Sequence, residues 1–181
     1  MSAFATPAQL EAGLDEVREA PPERGTLELV VVRPGVDERE VLDEATLDLE
    51  QGVVGDRWLA AGRSGGRPAN AKAQVTLMSS RAAALVAGER ERWALAGDQL
   101  YVDLDVSEEN LPPGTQLAIG SAVLEVTDEP HTGCKKFTAR FGLDAMVFVN
   151  SAEGRALNLR GINAKVVTPG TIRVGDRIRR R

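Results

Sequence analysis

Short strand-like segments separated by turn residues dominate the 181-residue sequence after residue 25, and they most constrain its fold. The segment GTLELVVVRP ends in a continuous apolar run that a proline closes, as expected of a buried strand. The segments EATLDLEQG and DQLYVDLDV alternate polar and apolar residues, which predicts strands with one face in water. About nine such segments and few long helices predict a mainly β (α+β) fold, a β-barrel decorated by helices rather than a parallel α/β sheet.

Two stretches repeat one pattern. QLAIGSAV at 116–123 and TIRVGDRI at 171–178 both place alternating apolar residues before a glycine, and a Pro-Gly-Thr turn accompanies each. Each stretch predicts a tight strand–turn–strand corner. Because matching corners suit a curved sheet, they favour a closed or partly closed barrel.

Helices are predicted at three places. Residues 7–20 carry Leu10, Leu14 and Val17 at helical spacing, and PPERG then stops the helix. We therefore divide the chain into an N-terminal helical extension, residues 1–24, and a barrel domain, residues 25–181. The extension either packs on the domain or binds a partner. SSRAAALVAG predicts a serine-capped helix ended by a glycine, and much of the segment that begins at KKFTARFG is helical.

Composition narrows the function classes. The net charge of −5 argues against nucleic-acid and membrane-surface binding, which need a basic face. The sequence has neither an apolar run of about 18 residues nor the features of a signal peptide. A single cysteine forms no intrachain disulfide, so a cytoplasmic protein is predicted.

The segment EPHTGCKKFTARFG, residues 129–142, contains the only histidine and the only cysteine. Cys134 follows Gly133 at a predicted strand-to-helix turn, where a thiol could project into a pocket. Positive charge from Lys135, Lys136 and Arg140 would favour a reactive thiolate if it faced the sulfur. A lone cysteine is also commonly a small buried hydrophobic residue, and the residues alone leave both interpretations open.

His131 has several possible roles beside Cys134. It could act as a base for the thiol, donate to a ligand, or lie on the surface next to Pro130. A structural zinc site is not expected, because it needs about four Cys or His ligands and the chain offers two. A cofactor that brings its own metal ligands needs only one soft protein ligand, and a thiolate suits that role.

Two further segments carry polar groups suited to an anionic ligand. The glycine-rich stretch 51–79 lacks a phosphate-loop signature but offers backbone N–H groups and four cations, Arg57, Arg63, Arg67 and Lys72. It could equally be a solvated loop, as we expect for Arg63 and Arg67. Asp56 and Arg57 could instead form a structural turn and an ion pair. Near the end of the chain, three residues could line the same mouth as Cys134: Asn158, Arg160 and Asn163.

Taken in order, five segments resemble the MOSC domain, the C-terminal domain of molybdenum cofactor sulfurases, which also occurs in stand-alone bacterial proteins. They are GVVGDRW, AQVTLMS with its following helix, ENLPPGTQLAIGSAVLEVT, PHTGCKKFTARFG and RGINAKVVTPGTIRVGD. The resemblance covers about residues 25–181. The sequence departs from the family pattern at Trp58, where histidine is frequent, and in PHTGC, where Pro-Cys is common.

The resemblance implies a β-rich barrel and makes Cys134 the family cysteine, which ligates molybdenum in cofactor-binding members. It implies that Arg57, Asn158 and Arg160 hold the phosphate and pterin of the molybdenum cofactor, with His131 as a neighbouring proton donor. The implied function is an oxidoreductase that reduces N-hydroxylated compounds with a small-molecule substrate and a redox partner. The alternatives are a cysteine persulfide that exchanges sulfur with donor and acceptor proteins, and a non-catalytic binding module.

Overall fold

The computed structural model describes residues 4–181, apart from the side chain of Arg63. Seven strands form a closed barrel in the order β1-β11-β7-β8-β9-β5-β6, and β6 returns to β1. The strands are β1 (Arg24–Val32), β2 (Glu40–Leu42), β3 (Glu44–Asp48), β4 (Gly52–Val53), β5 (Val75–Ser79), β6 (Leu100–Asp103), β7 (Gln116–Ile119), β8 (Ala122–Val126), β9 (Ile162–Thr168), β10 (Gly170–Arg173) and β11 (Arg177–Arg180). The predicted closed barrel is confirmed.

Strand β1 closes the barrel because it is long enough to have three partners. Its first residues pair with β11, its middle pairs with β6, and its last residues pair with the short β2. Strands β5 and β6 run parallel, whereas the other paired strands are antiparallel. A separate three-stranded sheet, β10-β3-β4, lies beside the barrel.

The two matching corners have different partners. Strands β7 and β8 form a hairpin that turns at Gly120, whose φ of +54° suits glycine. Strand β10 instead pairs with β3, so the second corner carries the chain from the small sheet into the barrel strand β11. The corners also touch, because the Thr171 N–H donates to Ser121 Oγ at 2.8 Å. The repeated pattern therefore predicts two turns correctly but not two hairpins.

Helices cover one side of the barrel. They are α1 (Pro7–Ala12), α2 (Leu14–Arg18), α3 (Trp58–Ser64), α4 (Ser80–Ala87), α5 (Lys135–Phe141), α6 (Leu143–Asn150) and α7 (Ala152–Ala156), with 3₁₀ helices at Ala71–Ala73 and Arg90–Ala96. The single helix predicted over 7–20 is divided at Gly13, which the side chain of Leu85 approaches too closely for any Cβ. No helix of the described chain has the length and apolar character needed to cross a membrane.

Apolar side chains form two cores on either side of the barrel wall. Leu27 and Val30 of β1 point into the barrel, while Leu29 and Val31 pack against the helices. Strict alternation would place Leu27 and Leu29 on one face, but a β-bulge between them shifts the register of β1 and puts them on opposite faces. The outer core includes Leu10, Leu14 and Val17, so the N-terminal helices pack on the barrel. The division into domains at residues 24 and 25 stays a prediction.

Two phenylalanines of the outer core hold the segment that carries Cys134. Phe137 and Phe141 are almost fully buried, with ring centroids 4.9 Å apart in an edge-to-face arrangement. Burial of each ring stabilises the fold by about 1.5–3 kcal/mol. Helix α5 is therefore anchored firmly, and the residues before it have a fixed position on the barrel.

Candidate functional site

Cys134 lies immediately before α5 and is exposed. The preceding peptide is clamped by Asn150 of α6, which accepts from the Gly133 N–H at 2.9 Å and donates to the Gly133 oxygen at 3.2 Å. A Cβ at Gly133 would lie only 3.2 Å from a methyl group of Val149, so glycine permits this close approach. The thiol is thus fixed on the surface, and the interpretation of Cys134 as a buried hydrophobic residue is wrong.

The cysteine lines a cavity of about 190 Å³ that we call the thiol pocket. Its charged lining consists of Arg33, Asp37, Arg39, Arg57, Lys136 and Arg140. The backbone of Ala96 and Gly97 and the ring of Phe137 form the rest of the wall. Cys134 therefore opens toward basic residues from other segments of the chain.

Arg33 is the most firmly held cation of the thiol pocket. Its Nε lies 2.8 Å from Asp56 Oδ2 and its Nη2 lies 2.8 Å from Asp56 Oδ1, a bidentate pair. Burial would lower the pKa of Arg33, but the hydrogen bond and charge of Asp56 outweigh it and raise that pKa above its usual value. The predicted Asp56–Arg57 ion pair is wrong, because Asp56 binds Arg33 and also accepts from the Trp58 N–H.

Arg57 and Arg39 have no carboxylate partner among the described side chains. Arg57 makes no side-chain hydrogen bond there, and Arg39 donates only to the carbonyl oxygens of Ala94 and Glu38. Burial, followed by the charges of Arg140 and Arg33, lowers the pKa of Arg39. This strongly cationic environment in a chain of net charge −5 is complementary to an anionic ligand.

The remaining two cations of the pocket share one carboxylate. Asp37 Oδ1 lies 3.1 Å from Lys136 Nζ and 3.2 Å from Arg140 Nη2. The hydrogen bond and charge of Lys136 lower the pKa of Asp37 from its usual value. With Asp37 and Asp56 as the only carboxylates at five cations, the described lining keeps an excess of positive charge.

Behind the thiol pocket, His131, Asp98 and Arg160 form a group that we call the buried network. His131 Nε2 lies 2.6 Å from Asp98 Oδ1, and Arg160 Nη1 binds Asp98 Oδ2. Asp98 is fully buried, which would raise its pKa, but the charges and hydrogen bonds of Arg160 and His131 lower that pKa to about 2. The carboxylate therefore stays ionised and orients both partners.

Arg160 connects this network with the wall of the thiol pocket. Its Nη2 donates to the Ala96 oxygen at 2.8 Å, and its guanidinium lies over the Phe137 ring, 5.1 Å from the centroid. Because Ala96 and Phe137 both line the thiol pocket, Arg160 supports that wall from behind.

A second cavity of about 240 Å³ lies on the other side of the network, and we call it the amide cavity after two asparagines in its lining. His131, Asn158, Arg160 and Asn163 line it, whereas none of them lines the thiol pocket. The expectation of one mouth shared with Cys134 is therefore wrong. The physical reason is the packing of Arg160 on Phe137, which fills the space between the two cavities.

The structure thus brings Cys134 and Arg57 together and places His131, Asn158 and Arg160 apart from them. Arg67 is exposed outside both cavities, and Lys72 pairs with Asp128. The expectation that Arg63 is solvated lies outside the described residues, because its side chain is not described.

Sequence reasoning missed four residues that shape the site: Asp98, Arg33, Arg39 and Asn150. Only Asp98 carries a local signal, since it is an isolated acid between the apolar segment WALAG and the strand β6. An acid in such a position is almost never buried without a partner, so its sequence context predicts a cationic partner elsewhere in the chain.

Protein side chains do not form a complete metal site in the described chain. Between residues 4 and 181, no three or more His, Cys, Asp or Glu side chains are grouped so that they could hold a metal ion. A metal bound at Cys134 would consequently need further ligands from outside such a group of side chains.

Three solved structures have a similar fold. YuaD from Bacillus subtilis superposes with a TM-score of 0.64 at 16% identity, over 87% of this chain and 95% of that one. A hypothetical protein gives 0.58 at 21% identity, over 87% and 68%, and YiiM from Escherichia coli gives 0.57 at 18% identity, over 87% and 69%. At these identities the likeness establishes the fold alone.

Sequence comparison identifies the family. No curated protein matches the sequence. The family model described as the MOSC domain matches residues 68–179, which is more than half of the chain and includes Cys134 and the buried network. The chain therefore belongs to the MOSC domain family.

Proposed function

We propose that Cys134 ligates a molybdenum-pterin cofactor in the thiol pocket and that the protein reduces N-hydroxylated compounds. The observation that carries this proposal is an exposed thiol beside guanidinium groups that have no carboxylate partner. The MOSC domain family is associated with molybdenum cofactor binding, which supports the same assignment.

The residues of the thiol pocket suit such a group chemically. A thiolate is a soft ligand, and the cofactor supplies the metal's remaining ligands itself. The cofactor also carries a phosphate, for which Arg57 and Arg39 offer charged donors. The pocket volume of about 190 Å³ is below the roughly 300–1,000 Å³ of a typical small-molecule site, so it suits part of the cofactor rather than all of it.

The bound cofactor would supply the redox chemistry, and the protein would bind and orient it. Arg57 would bind the anionic group, and Arg33 would keep a fixed charge nearby because Asp56 holds it. Arg160 would keep the wall in place through the Ala96 oxygen. His131 would be a neighbouring proton donor, three residues from Cys134, whose Nε2 contacts both Asp98 and Arg160. Asn158 has no direct part in this pocket.

Metal analysis tests the proposal. Protein made in a molybdenum-replete host should contain about one molybdenum per chain by mass spectrometry, and Cys134→Ser should lose it. The neighbouring change Thr132→Ser is the matched control, since Thr132 is exposed and does not line the thiol pocket. Wild-type protein without molybdenum would contradict the proposal.

A second candidate is a persulfide carrier that uses the same cysteine without metal. The specific observation in its favour is the small size of the cationic pocket, which matches a small anionic sulfur compound better than a large cofactor. Sulfane sulfur released by cyanide from wild-type protein, and absent in Cys134→Ser, would support it. If neither molybdenum nor sulfane sulfur is found and Cys134 reacts slowly with alkylating reagents, a non-catalytic binding module is favoured.

A further inference from the structure

The amide cavity has no part in the function proposed at Cys134, yet it is constructed like a ligand site. Its floor consists of buried aliphatic side chains, Leu111, Val126, Val149 and Ile162, each at most 5% exposed. Its sides carry polar groups from separate segments of the chain. An apolar floor with a few placed polar groups is the usual construction of a small-molecule site.

Each of the two asparagines of the cavity has a side-chain oxygen without a hydrogen-bond partner among the described residues. Asn163 is 3% exposed, and its Nδ2 donates to the Glu129 oxygen at 3.1 Å and the Pro130 oxygen at 3.3 Å. Asn158 donates from Nδ2 to the Val106 oxygen at 2.9 Å. Because these donors fix the amide orientation, Oδ1 of each asparagine is the free end, and neither has a partner among the described residues.

Carboxylates add to this excess of acceptors. The side-chain carboxylates of Glu108 and Glu129 line the cavity, and neither has a hydrogen bond or ion pair among the described residues. Lys72 forms an ion pair with Asp128, whereas its interaction with Glu129 is electrostatic and includes no hydrogen bond. The charge of Arg160 is matched by Asp98, which leaves exposed Arg155 as the remaining cation of the lining.

We propose that the amide cavity binds a small organic cation, a protonated amine or amidine with an apolar body. The ammonium or amidinium group would donate to Asn163 Oδ1 and to the Glu129 carboxylate, and the apolar body would cover the aliphatic floor. One buried donor of the lining, Arg160 Nε, also lacks a partner. A ligand with only acceptors would nevertheless leave two asparagine oxygens and two carboxylates without donors, which is costly in a partly buried site. The inference does not depend on molybdenum or on Cys134.

Calorimetric titration of the full chain tests this inference with three probes of similar size: n-butylammonium, n-butanol and butanoate. We expect saturable binding of n-butylammonium at least about tenfold tighter than of either other probe, because a charge-assisted hydrogen bond contributes that difference. Glu129→Gln keeps the shape of the side chain and should weaken n-butylammonium binding about tenfold. Glu125→Gln is the matched control, since Glu125 pairs with Lys165 outside the cavity and its loss should leave the affinity unchanged.

Two results would overturn the inference. One is butanoate or butanol binding as tightly as n-butylammonium, or no saturable binding by any of the three. The other is equal affinity in Glu129→Gln and Glu125→Gln, with both variants shown to be folded by circular dichroism. Arg57→Gln should not change n-butylammonium affinity, so failure at the thiol pocket and failure here are distinguishable.

Discussion

The thiol pocket and the amide cavity share a wall but expose opposite kinds of polar group. In the thiol pocket, Arg39 and Arg57 lack carboxylate partners among the described side chains. In the amide cavity, two glutamate carboxylates and two asparagine oxygens lack donors there. The buried network between them contains Asp98, which binds both His131 and Arg160. One chain of net negative charge can therefore present a cationic and an acceptor-rich site when a buried ion pair separates them.

Removing the shared carboxylate should have the largest effect. Asp98→Asn leaves Arg160 as a buried charge without its partner, which typically costs about 3–5 kcal/mol of unfolding free energy. Urea unfolding followed by circular dichroism measures this loss. The control is Asp128→Asn, because Asp128 is an exposed acid paired with Lys72 and its midpoint should hardly move. Equal urea midpoints for Asp98→Asn and Asp128→Asn would show that the buried network does not stabilise the wall between the two cavities.

Crowding the network should be the next largest effect. At Gly161, where φ is +114°, a Cβ would overlap the Leu77 carbonyl oxygen and lie 3.1 Å from His131 Cδ2. Gly161→Ala should therefore lose about 3 kcal/mol, from backbone strain and overpacking together. Gly175→Ala has a similar φ of +93° and open space around it, so it should lose only about 1 kcal/mol. The same thermal-unfolding measurement on both variants separates packing from backbone strain, and equal losses would contradict the close approach.

Acid should destabilise the fold by protonating Asp98. Its pKa of about 2 in the folded chain lies below the ordinary value of 3.8, so the ionised form stabilises the fold above pH 3.8. This contribution, about 2 kcal/mol, is lost as the pH falls from about 4 through about 2. The free energy of unfolding of wild type should consequently fall more steeply in that window than that of Asp98→Asn. Parallel curves for the two proteins would show that Asp98 is not stabilised as an anion.

Substitutions in the thiol pocket should have the smallest effect, a change in anion affinity that is confined to this pocket. Arg57→Gln should weaken the binding of inorganic phosphate about tenfold, because it removes a cation that no described carboxylate neutralises. Asp37→Asn should strengthen phosphate about two- to fourfold, because it removes a negative charge from the pocket. Titration followed by phosphorus NMR measures both changes. Arg155 lines the amide cavity, so Arg155→Gln should leave phosphate affinity unchanged. Weaker phosphate binding in Arg155→Gln would mean that the anion binds in the amide cavity instead of the thiol pocket.

The barrel could be predicted from local sequence because alternation and turns are local properties. The strand over residues 24–32 and the helix capped by Ser79 both follow from neighbouring residues. Partner choice is not local. The corner at 171–178 looks like a hairpin, yet β10 pairs with β3, where Thr171 lies opposite Thr46, about 125 residues earlier in the sequence. The break at Gly13 likewise depends on Leu85, far along the chain.

The site was predictable only at its center. Cys134 and Arg57 were expected to face a ligand, and the structure places both on the thiol pocket. His131, Asn158 and Arg160 were grouped with them because they are close in sequence or polar, but packing of Arg160 on Phe137 separates them. The pairing of Asp56 with Arg33 depends on contact between distant segments, which spacing in the sequence does not specify.

Closure of the barrel by β1 and β11 also affects how the protein is synthesised. These strands lie about 150 residues apart in the sequence, so the seam between them forms only after β11 has left the ribosome. Until then, β1 and β7 each present an unpaired edge to other nascent chains. Pairings this distant in sequence also form slowly, which lengthens that exposure. We therefore expect aggregation during synthesis to depend on the rate at which β11 is added.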